Sequence, residues 1–374
     1  MLENIVCHLT SVHRPFDTRI FVKEAKTLMQ AGYKVVIVAP HNKDEVVNGI
    51  RIRAVPKPAG RRERIFQTSY EVYKAALDEN AMLYYFHDPE LIPVGLMLKM
   101  RGKKVVYDVH EDLPRQILTK HWINPLLRRG VAIGAQLMEI FGAYCFDRVV
   151  TATETIAKRF PSNKTSIIYN YPVIGELSTM DSISMPYDKR PLNVVYVGGI
   201  TLIRGIREMV EAMSFMPTQS GIRLVLAGNF DPPELENEMR CISSWKYINY
   251  LGWQTREQIA KILANARVGL VLLHPTLNYL DSYPVKLFEY MSAGIPVVAS
   301  DFQLWRKIIE DIKCGIVVDP LNPKAIADAI LWLLENPIEA EKMGKRGQKA
   351  IYERFNWDTQ AKKYVSITRE LLMA

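Results

Sequence analysis

HPTLNYLDSYPVKLFEYMSAGIPVVAS, residues 274–300, reads as a polar loop, a helix, a turn carrying Gly294 and Pro296, and a buried strand. The apolar run Gly269–Leu273 precedes it, so the stretch predicts one strand–helix–strand unit. Ser282 is the expected N-cap, and Pro284 suits the first turn of the helix. Backbone N–H groups at a helix start attract anions. Lys286 stands in or near that turn, where a cation opposes the helix dipole, and a bound phosphate offsets the conflict. Glu289 falls one turn further on, within reach of sugar hydroxyls. Asp281 lies eight residues before it. The alternative for this segment alone is a plain amphipathic helix with solvated Lys and Glu.

Working outward, the same alternation fills the chain. Asn193–Val197, Arg223–Ala227, Tyr247–Tyr250, Pro296–Ala299 and Gly315–Val318 are further strand candidates on one side. On the other lie Ile5–Leu9, Lys34–Ala39, Met82–Phe86, Lys104–Tyr107 and Arg148–Thr151, with Ile20–Ala31 as a helix stopped by Gly32. Strands apolar almost throughout, separated by helices, predict parallel sheets covered on both faces. The pattern breaks at Ser178–Arg190. The expectation is an α/β chain of two doubly wound domains: residues 1–178, a linker at 179–190 joined near residue 184, and residues 191–355. A final helix at 356–374, with no strand after it, is expected to cross back to the first domain. In such sheets ligands sit outside the carboxyl ends of the strands, so residues just after strands matter most.

After the 193–197 strand comes GGITLIRGI. Gly198 and Gly199 let a ligand approach the backbone, and the Arg204 guanidinium suits a diphosphate. GxGxxG and GxxxxGK[ST] are both absent, which removes the usual support for a nicotinamide, flavin or P-loop reading. Three polar clusters follow strands in the first half: His13, Arg14, Asp17 and Arg19; His87 and Asp88; and Asp108, His110, Glu111 and Asp112. No His pair has helical i, i+4 spacing, and no Cys/His cluster has zinc spacing, so no metal is expected.

The 374 residues carry 48 Lys+Arg against 40 Asp+Glu, a net charge of +8, and suit two domains with large cores. Residues 1–178 hold 25 Lys+Arg and 18 Asp+Glu, so nearly all the excess lies in the first half. The four cysteines are scattered singly, as reduced core thiols of a cytoplasmic protein are. The N-terminus does not read as a signal peptide, and the most apolar long stretch, Gly130–Phe146, is too short and too interrupted to span a bilayer.

PVKLFEYMSAGIPVVAS, YVGGITLIRGI, LAGNF and ERFNWDTQAKKY resemble the retaining nucleotide-sugar glycosyltransferases of the GT-B fold, family 4. SVHRPFDTRIFVKEAKTLMQAGYKV resembles a bacterial subgroup that builds polysaccharides. The resemblance implies two Rossmann-like domains facing a central cleft, a nucleoside-diphosphate sugar as co-substrate and no cofactor. It implies donor contacts from Gly198, Gly199, Gly228, Ser282, Tyr283, Pro284, Val285 and Glu289, with Glu289 on the ribose and Asp281 near the transferred sugar. Asp281 replaces the more usual Glu. Gly199 stands where an Arg is usual, and Arg204 where a Lys is usual, so Lys286 is expected to supply the second cation. His110 matches the histidine near the reacting sugar. His13, Arg14, Asp17, Arg19, His87, Asp88 and Glu111 are assigned to the acceptor side, where HRPFDTR replaces the family's glycine-rich loop.

The implied reaction is transfer to a glycan or lipid-linked acceptor with retention, in cell-surface polysaccharide synthesis. Basic and apolar residues interleave at Lys57, Arg61, Arg62 and Arg64, and at Lys120, Trp122, Leu126, Leu127, Arg128 and Arg129. This pattern suits an anionic membrane surface, so the expected location is the cytoplasm, peripheral at the inner face of the membrane. No nucleic-acid motif accompanies the charge. A nucleotide-sugar epimerase of the same architecture and a non-catalytic partner subunit are the alternative readings.

Overall fold

The computed structural model describes residues 4–119, 123–177 and 185–373. Lys120 and Trp122 lie outside these residues, as does the joint expected near residue 184. The chain forms two units, one of residues 1–170 with 357–374 and one of residues 171–356. The division falls before the expected linker. The residues at 185–190 belong to the second unit, because the Tyr187 side chain is buried in its core and donates to the Arg267 carbonyl (2.7 Å).

In unit 1, β1 (Ile5–Leu9) leads through a π-helical stretch at Thr18–Ala25 into α1 (Lys26–Gln30) and β2 (Lys34–Pro40). A hairpin absent from the sequence reading follows, β3 (Glu45–Val47) and β4 (Ile50–Val55), then α2 (Arg61–Glu63) and α3 (Ser69–Glu79). The chain continues through β5 (Leu83–Phe86), α4 (Ile92–Met100), β6 (Lys104–Val109), α5 (Leu113–Thr119) and α6 (Pro125–Cys145). It closes with β7 (Arg148–Thr151), α7 (Glu154–Ala157) and β8 (Thr165–Ile167). The sheet order is β3-β4-β2-β1-β5-β6-β7-β8, parallel except at the β3–β4 pair. Val36, Val38, Tyr84, Phe86, Val105 and Tyr107 point into one apolar layer of this core.

Unit 2 contains β9 (Asn193–Val197), α8 (Ile206–Ala212), β10 (Arg223–Ala227), α9 (Leu235–Arg240), β11 (Ile248–Gly252) and α10 (Arg256–Ala264). It continues with β12 (Val268–Val271), α11 (Leu277–Leu280), α12 (Val285–Ser292), β13 (Val297–Ser300), α13 (Gln303–Ile312), β14 (Gly315–Val318), α14 (Pro323–Glu335) and α15 (Pro337–Glu353). All its strands are parallel, in the order β11-β10-β9-β12-β13-β14. This is the doubly wound 3-2-1-4-5-6 arrangement, whose strand order reverses between β9 and β12. In unit 1 the reversal falls between β1 and β5. The last helix, α16 (Trp357–Met373), packs on unit 1. Trp357 donates to Thr27 Oγ1 (2.8 Å), and Tyr85 and Thr368 share a hydrogen bond (2.7 Å).

Candidate functional site

At the unit 2 reversal point, the turn after β9 and the start of α12 meet. Gly198 has φ +120, and a Cβ there would lie 2.7 Å from Lys286 Cε. A Cβ on Gly199 would lie 2.7 Å from Arg204 Nη1. Two adjacent glycines thus let two cationic side chains pack down onto one turn. Arg204 Nη1 donates to the Gly199 carbonyl (3.1 Å), which also accepts from the Tyr196 hydroxyl (2.7 Å). Lys286 Nζ sits 4.9 Å from the centre of the Tyr196 ring. Burial, with Arg204 adding to it and Glu289 opposing, pulls the Lys286 ammonium down to about 7. An arriving phosphate would restore its charge. Gly228, just after β10, donates to the Gly252 carbonyl (2.7 Å) and backs onto the Gly198 carbonyl.

Ser282 does not cap α12, contrary to expectation. Pro284 is the residue before the helix and offers no side-chain cap. A residue before proline is held extended, which carries Ser282 away from the helix axis. Its hydroxyl donates instead to the Tyr279 carbonyl (3.0 Å), and its carbonyl accepts from Trp305 Nε1 (2.7 Å). Tyr283 stacks on Phe288. Val285 is the first residue of α12, and Asp281 is exposed just after α11.

Glu289 is buried one turn into α12. Arg256, at the start of α10, donates to Glu289 Oε1 (2.7 Å) and to Glu176 Oε1 (2.9 Å), so Glu289 is held by a clamp the sequence did not disclose. A second unforeseen pair, His274 Nε2 and Glu208 Oε2 (3.1 Å), joins the loop after β12 to α8. The signal for both was their position at strand ends, but the partners lie more than thirty residues away in sequence.

In unit 1 the expected residues divide by depth. At the surface, His13 lies between Asp17 (Nδ1–Oδ2 3.5 Å) and Asp88 (Nε2–Oδ1 3.4 Å), with the His110 ring 5.5 Å away. Burial would lower His13, but Asp17 and Asp88 outweigh it and raise the imidazolium to about 9. His110 goes the other way, down to about 4, because burial outweighs the pull of Asp108, with Arg19 adding to the fall. A charged and a neutral imidazole therefore stand side by side. Arg14 and Glu111 are exposed beside them. Asp17 also caps the following π-helical stretch, accepting from the N–H groups of Arg19 (2.8 Å) and Ile20 (3.1 Å).

Arg19, His87 and Asp88, expected on the acceptor side, lie deeper than His13. All three are buried. Arg19 is held between Asp108 (Nη2–Oδ1 2.9 Å) and Glu24 (Nε–Oε1 2.9 Å), with a third bond to the Ile168 carbonyl (3.2 Å). Asp88 Oδ2 accepts from Thr10 Oγ1 (2.7 Å) and Ser11 N (2.7 Å), which ties down the loop that carries His13. His87 lies behind His110 and bridges to His8 (3.0 Å). Among the described residues, His8, Glu24 and His87, and His87, Asp108 and His110, are groups able to offer three ligand atoms to a metal. Asp108 Oδ2 already lies 3.1 Å from His110 Nε2 and 3.3 Å from His87 Nδ1.

With the geometry in view, similarity to known proteins defines the class. Two parallel Rossmann-like units with this topology match GT-B glycosyltransferase structures. Sucrose-phosphate synthase from Thermosynechococcus elongatus superposes with a TM-score of 0.80 at 19% identity, covering 99% of this chain and 100% of that one. The Anabaena protein HepE, solved in complex with UDP-glucose, superposes with a TM-score of 0.74 at 13% identity over 98% and 99%. Residues 19–170 match the family described as Glycosyltransferase Family 4, and residues 183–350 match Glycosyl transferases group 1. The chain belongs to these group 1 glycosyltransferases.

An uncharacterized glycosyltransferase of Methanocaldococcus jannaschii is 25% identical over 247 residues, 62% of each chain. Phosphatidyl-myo-inositol mannosyltransferase of Mycobacterium leprae is 27% identical over 165 residues, 44% of this chain and 42% of that protein. The chain therefore spans between two fifths and two thirds of the length of these relatives.

Proposed function

We propose that the protein transfers a hexosyl group from a nucleoside-diphosphate sugar to a glycan or lipid-linked acceptor, with retention of anomeric configuration, in cell-surface polysaccharide synthesis. One observation carries the donor half: Arg204 and Lys286 lie together over Gly198 and Gly199 at the strand-order reversal of unit 2. Two cations at a glycine turn, beside an uncapped helix start, suit a diphosphate leaving group. Glu289, aimed by Arg256, is assigned to ribose hydroxyls, and Asp281 to the transferred sugar. The UDP-glucose bound to the Anabaena neighbour and the mannosyltransferase name of the mycobacterial relative support a nucleotide-sugar donor and a hexose. On the acceptor side, neutral His110 hydrogen-bonds the reacting sugar and protonated His13 with Arg14 attracts an anionic acceptor.

In the step itself, the bond from the anomeric carbon to the β-phosphate oxygen breaks as the acceptor hydroxyl forms its bond on the same face. The hydroxyl proton passes to the departing phosphate. Arg204 and Lys286 stabilise the negative charge that builds there. Removing one such donor is worth about 10²–10³ in rate, so Arg204→Ala and Lys286→Ala should each cut transfer by about that factor. Product analysis with and without acceptor is the test. Full transfer in both variants overturns the assignment, and an isomerised nucleotide sugar formed without acceptor would favour an epimerase instead.

A further inference from the structure

We propose that unit 1 lies on an anionic lipid bilayer through the outward face of α6. A helix on a water-soluble surface normally turns polar residues outward. Here Leu126 and, two turns on, Ile133 share a face of α6 with Leu137, Phe141 and Tyr144, which follow at four-, four- and three-residue steps; the five are exposed by 90%, 58%, 62%, 61% and 65%. Leu127, Val131 and Met138 widen the same face. Exposed apolar stripes of this size mark interaction surfaces.

The inner side of α6 is fixed. Ala132, Glu139, Gly142 and Ala143 are buried, and the helix packs on α4 and α5. Its sole carboxylate, Glu139, is turned inward, accepting from Tyr107 (2.9 Å) and pairing with Arg159. Arg159 in turn bonds Asp112 (3.2 Å), two residues after His110. The apolar face is thus held outward by buried charge rather than being free to rotate inward. No described helix is long and apolar enough to cross a membrane, and a helix apolar on one face and packed on the other suits lying along one.

Charge selects the occupant. Arg128 and Arg129 open α6, and Lys164 sits at its far end, donating to the carbonyls of Tyr144 (2.7 Å) and Phe146 (2.8 Å). A second copy of the chain paired through this face would set cation against cation in either direction, parallel or antiparallel. An anionic headgroup layer complements the arginines, and its acyl boundary receives the apolar stripe. In the same unit, Phe66 and Tyr70 are exposed beside Arg61 and Arg62, a second basic-aromatic stretch of the same character.

The inference rests on this face alone and stands whichever sugar is moved. The full chain is mixed with vesicles of phosphatidylcholine alone or with about a third phosphatidylglycerol, and then floated. We expect at least fivefold more protein with the anionic vesicles than with the neutral ones. The triple variant Ile133→Ser, Leu137→Ser, Phe141→Ser should lose flotation while keeping its melting temperature and its nucleoside-diphosphate response. Arg128→Glu with Arg129→Glu should lose the preference for anionic lipid. Undiminished flotation of the triple variant overturns the proposal. So does a wild-type dimer that fails to float and that the triple variant splits into monomers, which would give the face to a second copy.

Discussion

Lys286 is the residue on which the proposed donor site turns, and its proton is the most direct handle on it. Held near a pKa of about 7 in the free protein, it is charged below that pH and progressively neutral above it. A bound diphosphate favours the charged form, so binding above pH 7 must take up a proton. Donor affinity should be flat below pH 7 and fall by up to about tenfold per pH unit above it, until the bound lysine itself titrates. Calorimetry in buffers of different ionisation enthalpy reads this uptake directly. Lys286→Arg, whose guanidinium stays charged, should flatten the profile. An unchanged pH slope in that variant would place the titrating group elsewhere. The neighbouring Arg256 acts through Glu289. Arg256→Ala should weaken nucleoside-diphosphate binding, which Arg256→Lys restores only in part because the fork to Glu176 is lost.

At the level of elements, the β1 loop, the π-helical stretch and the end of β6 are locked by one buried ion cluster. Arg19 sits between Glu24 and Asp108, all three buried. Removing its charge leaves two carboxylates uncompensated, so Arg19→Met should destabilise by about 3–5 kcal/mol, measured by denaturant unfolding. A change under 1 kcal/mol would mean that Glu24 is already protonated and needs no partner. Burial and nearby Asp108 raise Glu24, which pushes in that direction, and Arg19 opposes it. This cluster also shows what sequence leaves hidden. The strands were legible because Val36–Ala39 and Val194–Val197 are apolar throughout, as central parallel strands must be. The β3–β4 hairpin was not, since Glu45 and Arg51 dilute its apolar pattern at a sheet edge. Polar residues after strands were visible in the sequence, but their depth was not. Arg19, His87 and Asp88 look like surface groups in a list of residues, and only the three-dimensional pairing shows them to be internal supports. Ser282 failed as a cap because the proline two positions on dictates where α12 starts.

Across the whole molecule, the chain's end is part of its first unit. The α16 residues Trp357, Tyr364 and Thr368 are buried against unit 1, and the Tyr364 hydroxyl reaches Glu24 (3.4 Å). Trp357→Ala should cost about 3–5 kcal/mol and speed amide exchange in α16 and the Thr18–Ala25 stretch. Unchanged exchange there would show that α16 adds little to unit 1. The uneven charge of the sequence fits the proposed division of labour: a focused pair of cations in one unit for a diphosphate, a diffuse basic surface in the other. The measurement that bears most directly on the account is thermal denaturation with UDP, GDP and ADP, for wild type and for Arg204→Ala with Lys286→Ala. One nucleoside diphosphate should raise the wild-type midpoint, by an amount equivalent to about 2.7 kcal/mol at 100 times its dissociation constant, and should leave the double variant unmoved. An equal rise in the double variant, or no rise with any of the three, would contradict the assignment of the donor site to the Gly198–Gly199 turn.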